Sequence, residues 1–133
     1  MNRVGQPPFP WAKGVNYAQA VVTDAPLVFV SGQGGFGPDG TVTAPDDFEA
    51  QLRQAFANIS AILEAEGASL ATIVRLTSYL VRAEDYDAFK RVRGELFKPP
   101  YPASTAVVIA GFLIPGMLVE VDAVAAVGEA RTY

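Results

Sequence analysis

Across residues 47–66, Phe48, Leu52, Phe56, Ile59, Ile62 and Leu63 recur at helical spacing and draw one apolar stripe along a helix. A stripe of that kind must be buried. The rest of the chain supplies the partner, because residues 19–23, 27–31, 72–81, 105–110 and 118–127 are short runs rich in β-branched residues. Asp46, with Glu49 three residues on, reads as a capping-box start, and Gly67 reads as a left-handed stop. A second helix is expected over residues 84–97, with Tyr86, Phe89, Val92 and Leu96 on its apolar side and Pro99-Pro100 beyond its end.

The turn signal Asp24-Ala25-Pro26 predicts an antiparallel hairpin from the first two runs. A Gly-rich turn through Pro38-Asp39-Gly40 leads to a possible short strand at residues 41–43. The order β-β-(β)-α-β-α-β-β gives an α+β domain, with both helices on one face of a mostly antiparallel sheet. With 133 residues, half of them apolar, residues 1–133 suit one domain, in which residues 1–13 form an irregular, Pro-rich lead-in.

The last strand says how the second sheet face is used. Val119, Val121, Ala123 and Ala125 make one apolar side, which meets the helices, while Leu118, Glu120, Asp122 and Val124 point the other way. A face that mixes apolar side chains with carboxylates suits an oligomer interface or a cleft better than open surface.

Charge and composition narrow the chemistry. A net charge of −4, with 10 basic against 14 acidic residues and no basic cluster, argues against nucleic acid as a partner. The chain has no cysteine and no histidine, which removes thiol nucleophiles, Ser-His-Asp triads, imidazole acid–base pairs and ordinary zinc sites. No apolar segment follows Arg3 as in a signal peptide, and no run reaches membrane-spanning length, so a cytoplasmic soluble protein is the expectation.

Several motifs have both a chemical and a plain reading. Gly32-Gln33-Gly34-Gly35-Phe36-Gly37 matches a dinucleotide fingerprint in letters, but Pro38-Asp39-Gly40 makes a turn where that motif needs a helix N-terminus. Glu120 and Asp122 share a strand face about 6.6 Å apart, so they would flank the same side of a sugar rather than opposite sides, although Glu120 alone can activate a water. Ser31 ends an apolar strand beside Gly32, whose missing side chain leaves room for a ligand at the backbone. On the second helix, Asp87 with Lys90 or Arg91 reads as a solvated, paired surface.

Taken in order, these segments resemble the Rid (YjgF) family of imine and enamine hydrolases. Gly14-Val15-Asn16-Tyr17-Ala18-Gln19-Ala20 is similar to its G-x-Y-S-Q-A, and Val28-Phe29-Val30-Ser31-Gly32-Gln33 to its apolar run ending in S-G-Q. Gln51 through Asn58-Ile59, then Leu63, Gly67 and Leu70, resemble its first helix and exit. Tyr86, Phe89, Val92 and Phe97 resemble the second helix, Pro102-Ala103 the following loop, and Val119-Glu120-Val121 with Ala123 the closing strand. The resemblance implies a chorismate-mutase-like fold, a homotrimer with small-molecule clefts between subunits, hydrolysis of 2-imino or 2-amino-enoic acids to 2-keto acids and ammonia, and no cofactor or metal.

Carried over residue by residue, Tyr17, Ser31, Gly32 and Glu120 keep the family's identities, with Glu120 and a backbone carbonyl at Ala106 helping to position water. The family's carboxylate-binding arginine aligns with Ser104, which offers one hydroxyl in place of a bidentate cation. Three readings follow. The substrate is an imine or enamine without the usual carboxylate; or the cleft binds a metabolite without catalysis; or another cation takes over, with Arg93 on the second helix and Lys13 before the Gly14 loop as candidates. The endoribonuclease label attached to the family gains no support from an acidic chain without histidine.

Overall fold

The computed structural model describes residues 1–5 and 8–133; Gln6 and Pro7, within the expected lead-in, lie outside the described residues. Its strands are β1 (Asn2–Val4), β2 (Val21–Thr23), β3 (Leu27–Gln33), β4 (Ile73–Leu80), β5 (Ala103–Val108) and β6 (Val119–Ala126). Helix α1 (Phe48–Ala65) precedes β4, and α2 (Tyr86–Leu96) connects β4 to β5. β1 pairs with β2 in a small antiparallel sheet, and the main sheet runs in the order β3-β6-β4-β5. Its β3–β6 and β4–β6 pairs are antiparallel and its β4–β5 pair parallel, as the helical crossover through α2 requires.

The helix-side face carries the core. Leu52, Phe56, Ile59 and Leu63 of α1 and Phe89 and Val92 of α2 are buried against Leu76, Leu80, Val119, Val121 and Ala123. Phe56 and Phe97 meet edge-on, with centroids 5.6 Å apart. The row Val119, Val121, Ala123, Ala125 lies under the helices as its alternation requires. Ile62, expected in the α1 stripe, is exposed instead, and on α2 it is Arg93 rather than Tyr86 that joins Phe89 and Val92 in the buried set. Leu118 also turns into the core, because it precedes β6 and is not bound by the strand's alternation.

Other expectations shift for local reasons. The cap of α1 is Asp47, whose side chain accepts the Ala50 amide at 3.1 Å, while Asp46 adopts a left-handed conformation one residue earlier. Gly67 ends the helix as expected, with φ 76° and with the Ala68 amide donating to the Leu63 carbonyl at 2.9 Å. The hairpin between the first two runs does not form. Part of the supposed lead-in is a strand, and its Asn2 takes the Thr23 hydroxyl at 2.6 Å, so β2 is paired outward. β3 then lies against β6, where Val30 continues the buried row. Residues 41–43 contribute one bridge, Phe36 to Val42, rather than a strand.

Among the described residues no helix is long and apolar enough to cross a membrane. The C-terminal tail is fastened by Arg131, whose guanidinium donates to the carbonyls of Pro100 and Leu70 at 2.8 Å each and of Ile73 at 2.9 Å. Burial pushes that guanidinium down to about 10, and the three carbonyls offset its lost hydration. Arg131→Met would strand these acceptors, so urea denaturation is expected to show a loss of about 2–4 kcal/mol, with little recovery in Arg131→Lys, which lacks the planar fork.

Candidate functional site

The parallel β4–α2–β5 unit carries one group of the expected residues. Pairing of Leu76 with Ser104 and of Ser78 with Ala106 puts Ser104 and Ala106 on the helix-side face of β5. α2 crosses above that face and delivers Arg93, one helical turn after Phe89. Arg93 is only 2% exposed, and its Nη1 donates to Ser104 Oγ at 3.1 Å. Its Nε donates to Asn16 Oδ1 at 2.9 Å, and Nη2 donates to the same oxygen.

Aromatic rings hold the guanidinium in place. Its carbon lies 5.0 Å from the Phe89 ring centroid and 5.3 Å from that of Tyr17. Burial pushes Arg93 below its ordinary value, with Tyr86 and Tyr17 acting in the opposite sense. Asn16 is a further member that motif reading passed over. Its Nδ2 donates to the Lys90 carbonyl at 3.0 Å, and it can approach α2 because Gly94 has no side chain there: a Cβ on Gly94 would stand 3.0 Å from that nitrogen. No carboxylate pairs with Arg93 among the described residues, although Arg91, two residues earlier, pairs with Glu49 and Glu95.

A cavity of about 370 Å³ opens beside this cluster, lined by Asn16, Tyr17, Tyr86, Lys90 and Arg93 with the Gly14–Val15 backbone. Ala106 lines an adjoining, more apolar cavity of about 340 Å³ with Leu80 and Tyr86. Lys13 lies elsewhere, on a pocket of about 250 Å³ with Tyr17 and Tyr101. Tyr17 and Tyr86 are therefore shared walls.

The remaining expected residues lie on the opposite sheet face. Tyr79 pairs with Glu120 and Thr77 with Asp122, which sets these residues away from the helices. A bulge in β3 places both Ser31 and Gly32 between the pairs Val30–Ala123 and Gln33–Val121. Gly32 is needed there for Glu120: a Cβ would come within 2.5 Å of the Glu120 carboxyl carbon, so the carboxyl occupies the space a side chain would take. The expected backbone opening at Gly32 is filled by Glu120. Asp122 accepts the Tyr79 hydroxyl at 2.9 Å, a bond that, with desolvation, pushes the phenol above its ordinary value.

The sequence-expected residues thus fall into two groups. Tyr17, Arg93, Ser104 and Ala106 gather on the helix side; Ser31, Gly32 and Glu120 gather behind the sheet. β4 separates β5 from β6, so the two groups are offset by about 9.6 Å of strand spacing as well as by the sheet itself. The back face also leaves Phe29 75% and Val107 42% exposed. Among the described residues no group of carboxylates, thiols or imidazoles could hold a metal ion. The Gly32–Gly37 segment ends β3 and leads into a turn over residues 37–40, with the Gly40 amide on the Gly37 carbonyl at 3.0 Å, well before α1 begins.

Comparisons with known proteins agree with this architecture. The family described as Endoribonuclease L-PSP matches residues 11–127. A goat (Capra hircus) protein named 2-iminobutanoate/2-iminopropanoate deaminase is 33% identical over 116 residues, covering 87% of this chain and 83% of its own. The crystal structure of RidA from an Antarctic Psychrobacter superposes with TM-score 0.71 at 35% identity, covering 87% of this chain and 92% of that one. YyfB of the Rid family from Yersinia pestis has the same fold, with TM-score 0.86 at 24% identity over 95% of this chain and 98% of its own. This chain therefore belongs to the Endoribonuclease L-PSP family, which is the Rid (YjgF) family its residues resemble.

Proposed function

We propose that this protein hydrolyses an imine or enamine of an amino acid to the keto acid and ammonia, in a cleft between copies of the chain, with Arg93 holding the substrate carboxylate. The observation that carries the proposal is the buried Arg93 guanidinium, which lies against Ser104 without a carboxylate partner among the described residues. Ser104 stands where the family's arginine is expected; Arg93, reaching the same hydroxyl from α2, puts the positive charge back. Asn16 and Ser104 engage Nε and one hydrogen on each terminal nitrogen; of the two hydrogens left, Tyr86 is near enough to take one, and an anion entering the cavity would displace it. Of the three readings of Ser104, this geometry favours the one with a relocated cation.

The chemistry needs few groups. A carboxylate that takes a proton from water directs the oxygen onto the imine carbon, forming a tetrahedral amino alcohol. That proton completes the amino group, and the hydroxyl proton then passes through the carboxylate to the nitrogen as the carbon–nitrogen bond breaks, so ammonia leaves, the carbonyl forms and the carboxylate is regenerated. Glu120 is the carboxylate for this step, since Asp122 is already engaged by Tyr79. The backbone carbonyl of Ala106, on the edge strand β5, is the acceptor this reading assigns to the water. Ser31 lies on the bulge beside Gly32, with its hydroxyl available to the ligand.

Within one chain Glu120 and Arg93 lie on opposite sheet faces, which supports a site that brings Glu120 of one copy to Arg93 of the next. A homotrimer supplies three such sites and also covers Phe29 and Val107. Solution mass is then expected at three times the 14.1 kDa chain, and a monomer at micromolar concentration would remove the basis for a shared site.

Two substitutions test the roles. With 2-imino acids generated in situ by an amino-acid oxidase, Arg93→Met is expected to reduce ammonia release by roughly 30–1000-fold, the loss of ~2–4 kcal/mol of charge-assisted binding. Glu120→Gln is expected to reduce turnover by about 100-fold or more while ligand-induced thermal stabilisation persists. Equal rates for wild type and Arg93→Met would reject the relocated cation. Ligand binding with no Glu120-dependent turnover on any imine would make the cleft a binding site only.

A further inference from the structure

The cavity beside Arg93 contains a second cation. Lys90 precedes Arg93 by three residues on α2, so the two side chains leave the helix about 5–6 Å apart on neighbouring positions. Lys90 Nζ lies over the Tyr86 ring, 5.8 Å from its centroid, and Tyr86 is itself stacked on Phe89 at 5.9 Å. Asn16 fastens this arrangement, binding the Lys90 carbonyl with its nitrogen and the Arg93 guanidinium with its oxygen.

The lining contains no carboxylate, and among the described residues neither Lys90 nor Arg93 makes an ion pair. This is unusual in a chain with more acids than bases, and Arg91 on the neighbouring surface of the same helix has two acidic partners. Two cations and two tyrosines around about 370 Å³ are complementary in charge and size to a small ligand with two anionic ends.

We infer that the substrate is a short dicarboxylic imino acid, its α-carboxylate on Arg93 and its side-chain carboxylate on Lys90. This rests on the proposed role of Arg93 and adds specificity to it. Lys90 is exposed and movable, so it can follow the length of the side chain, whereas the buried Arg93 fixes the end next to the reacting carbon.

The test uses stable probes, so that it does not depend on turnover. Glutarate and butyrate are titrated against the full-length protein by calorimetry, and each titration is repeated with Lys90→Met and Arg93→Met after their melting temperatures are checked. Glutarate is expected to bind wild type about tenfold more tightly than butyrate, a difference of ~1.4 kcal/mol, and Lys90→Met to bring that ratio close to one. Equal affinities in wild type, or an unchanged ratio in Lys90→Met, would overturn the dicarboxylate assignment while leaving the Arg93 reading intact if Arg93→Met still weakens both probes. Loss of neither probe in Arg93→Met, or no binding by wild type, would overturn both.

Discussion

The row of small and branched side chains from Val119 to Ala125 decides where everything else in this molecule goes. β6 is the strand that both β3 and β4 pair with, and only one of its sides can lie under α1 and α2. Fully burying each aliphatic or aromatic side chain of that layer is worth about 1.5–3 kcal/mol, far more than any surface ion pair in the structure. The alternative register, one residue out, would place Glu120 and Asp122 beneath Leu52, Phe56 and Phe89. The core thus fixes the orientation of Glu120 as firmly as it fixes its own packing. The bulge at Ser31–Gly32 completes the placement, since it leaves the gap that the Glu120 carboxyl fills.

The two buried arginines occupy contrasting surroundings. Arg131 donates to three backbone carbonyls, acceptors that cannot leave, and it ties the tail to the segments that precede β4 and β5. Arg93 is held by an amide oxygen and a hydroxyl, neutral side-chain groups that orient the guanidinium without neutralising it. Removing a cation from water without an anionic partner is unfavourable, and the flanking rings of Phe89 and Tyr17 offset only part of that. An arginine kept in this condition suits the binding of an anion.

Much of the fold could be read from periodicity. The helices, the three long strands and the two sides of β6 follow from spacing alone, because each is a local pattern with one consistent burial solution. The pairing of β2 with β1 was not legible: three residues at the N-terminus carry no strand signal, and their partner is chosen by the Asn2–Thr23 bond across the chain. Candidate residues on the motifs, such as Tyr17, Ser31 and Glu120, were legible as identities but not as neighbours, since which face each occupies depends on the sheet order.

Arg93 was the hardest to place from sequence, yet it left a trace. It stands four residues after Phe89 and one after Val92, inside the stripe that must be buried, where a surface arginine has no reason to be. Lys90, Arg91 and Arg93 look alike as a basic run, but helical geometry sends them to different surroundings: the cavity edge, the acidic pair Glu49 and Glu95, and the aromatic cleft. Gly94, next in line, is the small residue that lets Asn16 reach the helix. A buried cation beside a glycine and facing a serine is therefore a coherent unit, in which a side chain from α2 brings positive charge to the Ser104 position of β5.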